Sequence, residues 1–254
     1  MLIMYCIVGS FVFVREHTYN VSGITTFGDN MNTFNKNMHI AIDGPSGSGK
    51  STIAKLVAQA LNYIYIDTGA MYRAIAFNCI NLNINLEDES DVISSLKSAT
   101  INVDYINGEQ YIYLNNKDIS NDIRGTQIAQ VTSKIATIRE VRKKLVQMQQ
   151  NLAQGKDIVM DGRDIGTIVL PYANLKIFLT ASVEARATRR QKELMEKGEI
   201  VSVDCVIREF KERDERDINR QVNPLKQADD AILIDTTYMN IEEVVTQIVS
   251  EVKR

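Results

Sequence analysis

Histidine and cysteine are nearly missing from this chain. Its 254 residues hold two histidines, His17 and His39, and three cysteines, Cys6, Cys79 and Cys205. An odd set of cysteines at irregular spacing gives no disulfide framework, and two histidines are too few to complete a zinc site with them. A reducing compartment, the cytoplasm, fits such usage. A long apolar run is also lacking. The apolar opening at residues 1–14 falls short of the roughly 20 residues that a membrane-spanning helix needs. It has neither the positive start nor the small-residue cleavage site of a secretory signal. Nor is there an excess of one charge: the net value of −3 carries no basic field for a nucleic acid polymer. Neither a repeat nor a low-complexity linker interrupts the chain. These absences leave a small-molecule partner and no membrane, and the expected state is a monomer.

The remaining composition, 44% hydrophobic and 24% charged, is that of one globular domain with inserts. Residues 1–37 are read as an N-terminal extension outside the fold, because 15–37 are polar and aperiodic. Met31 and Met38 both stand where translation could also start. The domain is expected at 38–254. Short apolar runs at 39–43, 63–67, 158–161, 175–179 and 231–235 read as buried parallel strands. Several end in Asp, at the strand ends that line the ligand crevice of open α/β sheets. Helical periodicity lies between them: Ala54, Val57, Ala58 and Leu61, and at the end Ile241, Val244, Val245, Ile248, Val249 and Val252, with Asn240 placed as a cap. The pattern predicts a doubly wound five-stranded parallel α/β sheet. Alternation around Asn107-Gly108 adds a small antiparallel β insert.

Gly44-Pro45-Ser46-Gly47-Ser48-Gly49-Lys50-Ser51 follows the first strand and opens a helix. Its glycines let successive N–H groups face one anion, and the helix N-terminus adds positive potential. Lys50 is placed for the β- and γ-phosphates of a nucleoside triphosphate and Ser51 for Mg²⁺. The loop alone does not separate switch, motor and kinase. A guanine-reading Asn-Lys-x-Asp is absent: Asn116-Lys117-Asp118-Ile119 has the wrong spacing. A kinase for an already phosphorylated acceptor needs a second anion site, which arginine forks suit. Arg73, Arg163 and Arg220 form an opposing set that could hold it. Further arginines crowd 186–220. Glutamates interleave with them at pairing distance, so charge alone would make this stretch a solvated helical face. Arg213, Asp217 and Arg220, however, recur at helical spacing and share a face.

Four strings carry a resemblance: 42–51 around the glycine loop, Ile66-Asp67-Thr68-Gly69-Ala70-Met71-Tyr72-Arg73, Asp161-Gly162-Arg163-Asp164-Ile165-Gly166-Thr167, and Arg213-Asp214-Glu215-Arg216-Asp217-Ile218-Asn219-Arg220. In order and spacing, 38–254 resembles the bacterial cytidylate kinases, the CMP/dCMP kinase family of P-loop nucleoside monophosphate kinases. The resemblance implies ATP with Mg²⁺ as phosphoryl donor and CMP or dCMP as acceptor. It assigns 44–51, Thr52, Arg189 and Arg190 to ATP, and Lys50, Arg163 and Asp161 to catalysis. Arg73 and Arg163 go to the acceptor phosphate. Thr68, which stands where some relatives have Ser, goes to the base or phosphate. Arg142, Asp164 and Arg220 go to the cytosine, and Ser133, Arg213 and Asp217 to the sugar. It implies a monophosphate-binding region with the β insert at about 71–152 and a short lid at about 186–224. Ser133 and Arg142 would face apart on one unbroken helix. Thr137-x-x-Glu140 is a capping-box pattern, so one helix should end before Thr137 and another start just after it.

Overall fold

The computed structural model describes residues 37–106 and 108–252. The extension expected at 1–37 thus lies, but for Asn37, outside the described residues, as do Asn107, Lys253 and Arg254. The main sheet is built from β1 (His39–Asp43), β2 (Ile64–Asp67), β6 (Ile158–Gly162), β7 (Leu175–Thr180) and β8 (Ile232–Asp235). All run parallel, in the order β2-β6-β1-β7-β8. Two strands start one residue later than the apolar runs suggest, because a turn claims the first N–H. Tyr63 N–H donates to Ala58 O, closing the helix end at Asn62, and Ala231 N–H donates to Ala228 O.

Both faces of the sheet are covered, which is why its strands are apolar throughout. Ile40 and Ile42 pack with α1 (Lys50–Leu61) and α8 (Ile241–Val252). Ala41 between them faces the opposite layer with Ala153, Ile165 and Val169, as the two-residue period of a strand requires. The first residue of α8 is held by a capping box: Glu243 N–H donates to Asn240 Oδ1 and Asn240 N–H to Glu243 Oε2, each at 2.9 Å.

A second apolar cluster lies beside the sheet. It joins α2 (Thr68–Asn81), α3 (Glu89–Ser98), β3 (Ile101–Ile106), β4 (Glu109–Leu114), α4 (Thr126–Ile135) and α5 (Arg139–Ala153). Ile106 pairs with Glu109 at the end of the hairpin, with Gly108 at φ +79°. The insert has a third strand, β5 (Lys117–Asp118), which the alternation did not reveal. Two residues are too few to alternate, and the turn before it uses Asn115 and Asn116 at positive φ.

The chain breaks between α4 and α5 where expected, but not by a capping box. Thr137 Oγ1 donates back to Lys134 O at 2.7 Å, and Ile138 is the N-cap residue without a side-chain bond. Thr137 therefore ends α4 instead of starting α5. Arg142 Nη1 donates to Ala136 O in the gap at 3.1 Å.

The remaining helices, α6 (Val183–Glu196) and α7 (Val203–Asn219), pair around Ala187, Leu194, Val206 and Phe210. The glycine loop is packed against the sheet. A Cβ at Gly44, φ +150°, would lie 2.0 Å from Leu179 O on β7. Gly44→Ala is therefore expected to cost about 1–3 kcal/mol, as overpacking does; a lower denaturant midpoint with unchanged slope would show it.

Candidate active site

A cleft of about 1170 Å³ opens at the carboxyl ends of β1, β2 and β6, where an open sheet places its ligand. Residues 46–52 line it, as do Thr68, Arg73, Ser133, Arg142, Asp161, Arg163, Asp164, Arg189, Arg190, Arg213, Asp217 and Arg220. Among the expected site residues Gly44 and Pro45 alone stay behind the wall. Gly44 is pressed on Leu179, and the Pro45 carbonyl accepts from Lys50 Nζ at 2.6 Å. Of the strand-end carboxylates, Asp67 and Asp161 reach the cleft. Asp43 and Asp235 do not. Asp43 turns to the N–H groups of Ile165 and Gly166, at 2.8 and 2.7 Å, and so shapes the loop after β6. Asp235 accepts from Thr237 at the end of β8.

In the glycine loop Lys50 is buried and also donates to Ser48 Oγ. Burial, and next the charge of Arg163, hold its ammonium well below the usual lysine range. Its neighbour Ser51 donates to Asp161 Oδ2 at 2.9 Å, and Tyr65 donates to Asp161 Oδ1 at 2.9 Å. Asp161 stands in register with Asp67 on β2. Burial, reinforced by the Asp67 charge, pushes its carboxyl up to about 6.

A cluster of guanidinium groups follows. Arg73 Nη2 is paired with Asp67 at 2.7 Å. Arg163 spans the cleft: Nη2 donates to Ser46 Oγ at 2.9 Å and Nε to Asp217 Oδ2 at 2.8 Å. Burial, then the repulsion of Arg163 and Arg73, push Arg213 down to about 10. Burial works against the Asp217 charge, but Arg163, Arg213 and Arg220 together hold its carboxyl below the usual range.

The far end is a chamber lined by buried side chains. Asp164 takes an ion pair from Arg142 on one oxygen and lies 3.5 Å from Arg220 on the other. Arg142 also stacks over the Tyr72 ring, 5.4 Å from its centroid. Three buried polar atoms here have no hydrogen-bond partner within the protein: Ser133 Oγ, Tyr72 OH and Arg142 Nε. Orphans of this kind are costly and mark a place built for a polar guest. Ser133 and Arg142 do share this wall, because the break after α4 turns α5 toward it.

The arginine-rich stretch divides. Arg208 and Arg216 are exposed, as a solvated face would have them. Arg186 is buried and bonded to Ser46 O. Arg189 binds the Thr236 hydroxyl and carbonyl, and Arg190 pairs with Glu193. Tyr65, Tyr72, Arg186 and Asp214 escaped the sequence reading as site residues. Tyr72 and Asp214 stand inside the recognisable strings, whereas Tyr65 lay in a strand read only for its apolar character.

A family model described as cytidylate kinase matches residues 40–254. A cytidylate kinase from Caldicellulosiruptor bescii is 48% identical over 213 residues, covering 84% of this chain and 94% of the relative. One from Clostridium botulinum (strain Langeland) is 52% identical over 220 residues, covering 86% and 99%. One from Carboxydothermus hydrogenoformans is 46% identical over 217 residues, covering 85% and 98%.

The raised Asp161 carboxyl gives a stability test. A carboxyl that ionises near 6 when folded but at its ordinary 3.8 when unfolded binds more protons in the folded state between those values. The stability it contributes is complete below about 4 and is lost as pH rises through about 6. Asp161→Asn can still accept from Tyr65 and meet Ser51, so its Tm should gain on the parent across that window; parallel Tm-against-pH curves would contradict this.

Proposed function

The chain belongs to the cytidylate kinase family, and from that premise we propose that it transfers the γ-phosphoryl group of ATP to CMP or dCMP, giving ADP and CDP or dCDP. The observation that carries the reading is Arg163. It joins the phosphate loop at Ser46 to Asp217 on α7, so one guanidinium stands between a donor pole and an acceptor pole.

In this reading 46–52 and Lys50 take the triphosphate, with Gly44 and Pro45 setting the loop's path. Arg189 and Arg190 belong to the lid at 186–224, and the monophosphate-binding region is 71–152 within a kinase domain at 38–254. Arg73 and Arg163 take the acceptor phosphate. The crowding of Arg213 supports giving it to that phosphate as well as to the sugar, since an anion would relieve the repulsion. Ser133 and Asp217 face the sugar. Arg142, Asp164 and Arg220 surround the base, where a carboxylate can accept from the exocyclic amine of cytosine and would meet a carbonyl in uracil. Thr68 Oγ1 already donates to Asp161 O at 2.7 Å, which leaves its lone pairs for the ligand.

No general base is required, because a nucleotide phosphate is largely ionised at pH 7 with a second pKa of about 6. Catalysis is positioning and charge: Lys50 and Arg163 stabilise the charge spread over the transferring group. Ser51 would hold Mg²⁺ through the nucleotide, with Asp161, to which its hydroxyl donates, beside it. When bound, Mg²⁺ neutralises charge on the nucleotide's phosphates. The enzyme is read as a cytoplasmic monomer, its few irregularly spaced cysteines fitting a reducing compartment; among the described residues no helix is long and apolar enough to cross a membrane.

A coupled ADP-release assay across CMP, dCMP, UMP and AMP should show turnover with the first two; turnover with another acceptor but not CMP would refute the assignment. Lys50→Ala should lower kcat by about 10²-fold or more, the usual loss for one charge-stabilising donor. Asp164→Asn should lower the CMP-to-UMP ratio of kcat/KM by about tenfold or more, since one good base contact is worth about 1–3 kcal/mol; equal losses on both acceptors would take Asp164 out of base reading.

A further inference from the structure

Ser46 has three polar groups, and a different residue binds each. Its N–H donates to Asp214 Oδ1 at 3.1 Å, its carbonyl accepts from Arg186 Nη1 at 2.7 Å, and its hydroxyl accepts from Arg163 Nη2 at 2.9 Å. Arg186 Nη1 also meets Asp214 Oδ2 at 2.7 Å, so one carboxylate fastens the loop to both α6 and α7. Asp217, one helical turn after Asp214, holds the other end of Arg163. A ring closes: Ser46, Arg163, Asp217, Asp214 and back to Ser46. One turn earlier on α7, Phe210 lies so close that a Cβ on Gly47 would stand 2.5 Å from its ring. Phosphate loop and acceptor arginine are thus fastened to one rigid helix.

Asp214 itself does not line the cleft. We propose that Asp214 is a positioning residue that couples the two nucleotide sites, by tying Ser46 of the donor loop to the helix that holds Arg163. The proposal rests on the reading that 46–52 takes the donor and Arg163 the acceptor phosphate. Donor phosphates that immobilise the loop also immobilise Ser46, and through it Arg163 and α7. The acceptor then meets groups already ordered, so each nucleotide tightens the other by the same factor.

Calorimetry on the full chain, with CMP and a non-hydrolysable ATP analogue, each alone and with the other saturating, tests this. The parent should show at least about fivefold mutual tightening, the lower end of ordinary coupling. Asp214→Asn keeps the shape but sets an amide against Arg186. It should reduce the factor toward one while each nucleotide alone still binds. Ser46→Ala, which removes only the hydroxyl that Arg163 bonds, should also bring the factor toward one whatever it does to donor affinity, since the factor is a ratio within the same variant, and it decides the matter if Asp214→Asn does not fold. A residue with only a structural role would lower stability and leave the factor intact. Both nucleotides binding the parent independently, or either folded variant keeping the full factor, would overturn the coupling. Failure of CMP to bind the parent would instead overturn the functional reading, and the coupling with it.

Discussion

Like-charged guanidinium groups must be held together in a poorly solvated cleft, and the rest of the site is arranged to meet that constraint. Each of the central arginines has a carboxylate: Arg73 with Asp67, Arg142 with Asp164, Arg163 with Asp217 and Arg186 with Asp214. Buried pairs of this kind add little net stability, since desolvation offsets much of the attraction. Their use is that the donors are already aimed before a ligand arrives, which is how preorganised charge acts in catalysis. Arg213 is the exception. It is crowded by Arg163 and Arg73, and a second anion would be its natural partner.

The carboxylates come from two sources with different geometry. Parallel strands bring Asp67 and Asp161 to adjacent places at their carboxyl ends. Helix α7 brings Asp214 and Asp217 to the same region by its turn, together with Phe210 and Arg213. Sheet and helix meet at Ser46 and Arg163, so the glycine loop and this arginine share one framework. Asp43 serves that framework from behind by bonding the N–H groups of Ile165 and Gly166. It thereby fixes the loop that carries Arg163 and Asp164.

The two ends of the cleft differ in kind. Around the phosphate loop the groups are charged and already bonded to protein. In the chamber beyond, Ser133, Tyr72 and Arg142 keep buried atoms without hydrogen-bond partners in the protein. A field of charge and a set of individually placed hydrogen-bonding groups thus occupy different ends of one cleft. The break between α4 and α5 matters for this reason, because it lets Ser133 on one helix and Arg142 on the next face the same chamber.

Sheet, glycine loop and family were all legible in the order of the amino acids. Apolar runs, an exact glycine spacing and four ordered strings are local patterns, and local geometry decides them. That order also located the helix break, though not its cause: Thr137 could bond forward or backward, and only packing chose the latter. The two-residue strand β5 was beyond reach, because so short a piece has no period. Tertiary structure alone decided how the charges are shared. Whether Asp43 faces the cleft or the loop behind it, whether Arg186 covers a ligand or anchors Ser46, and whether Tyr65 is core or a partner of Asp161 depend on neighbours far away in the chain. Ion pairs and hydrogen bonds have no period in sequence. They are set by which side chains the completed sheet and helices bring within about 3 Å of one another.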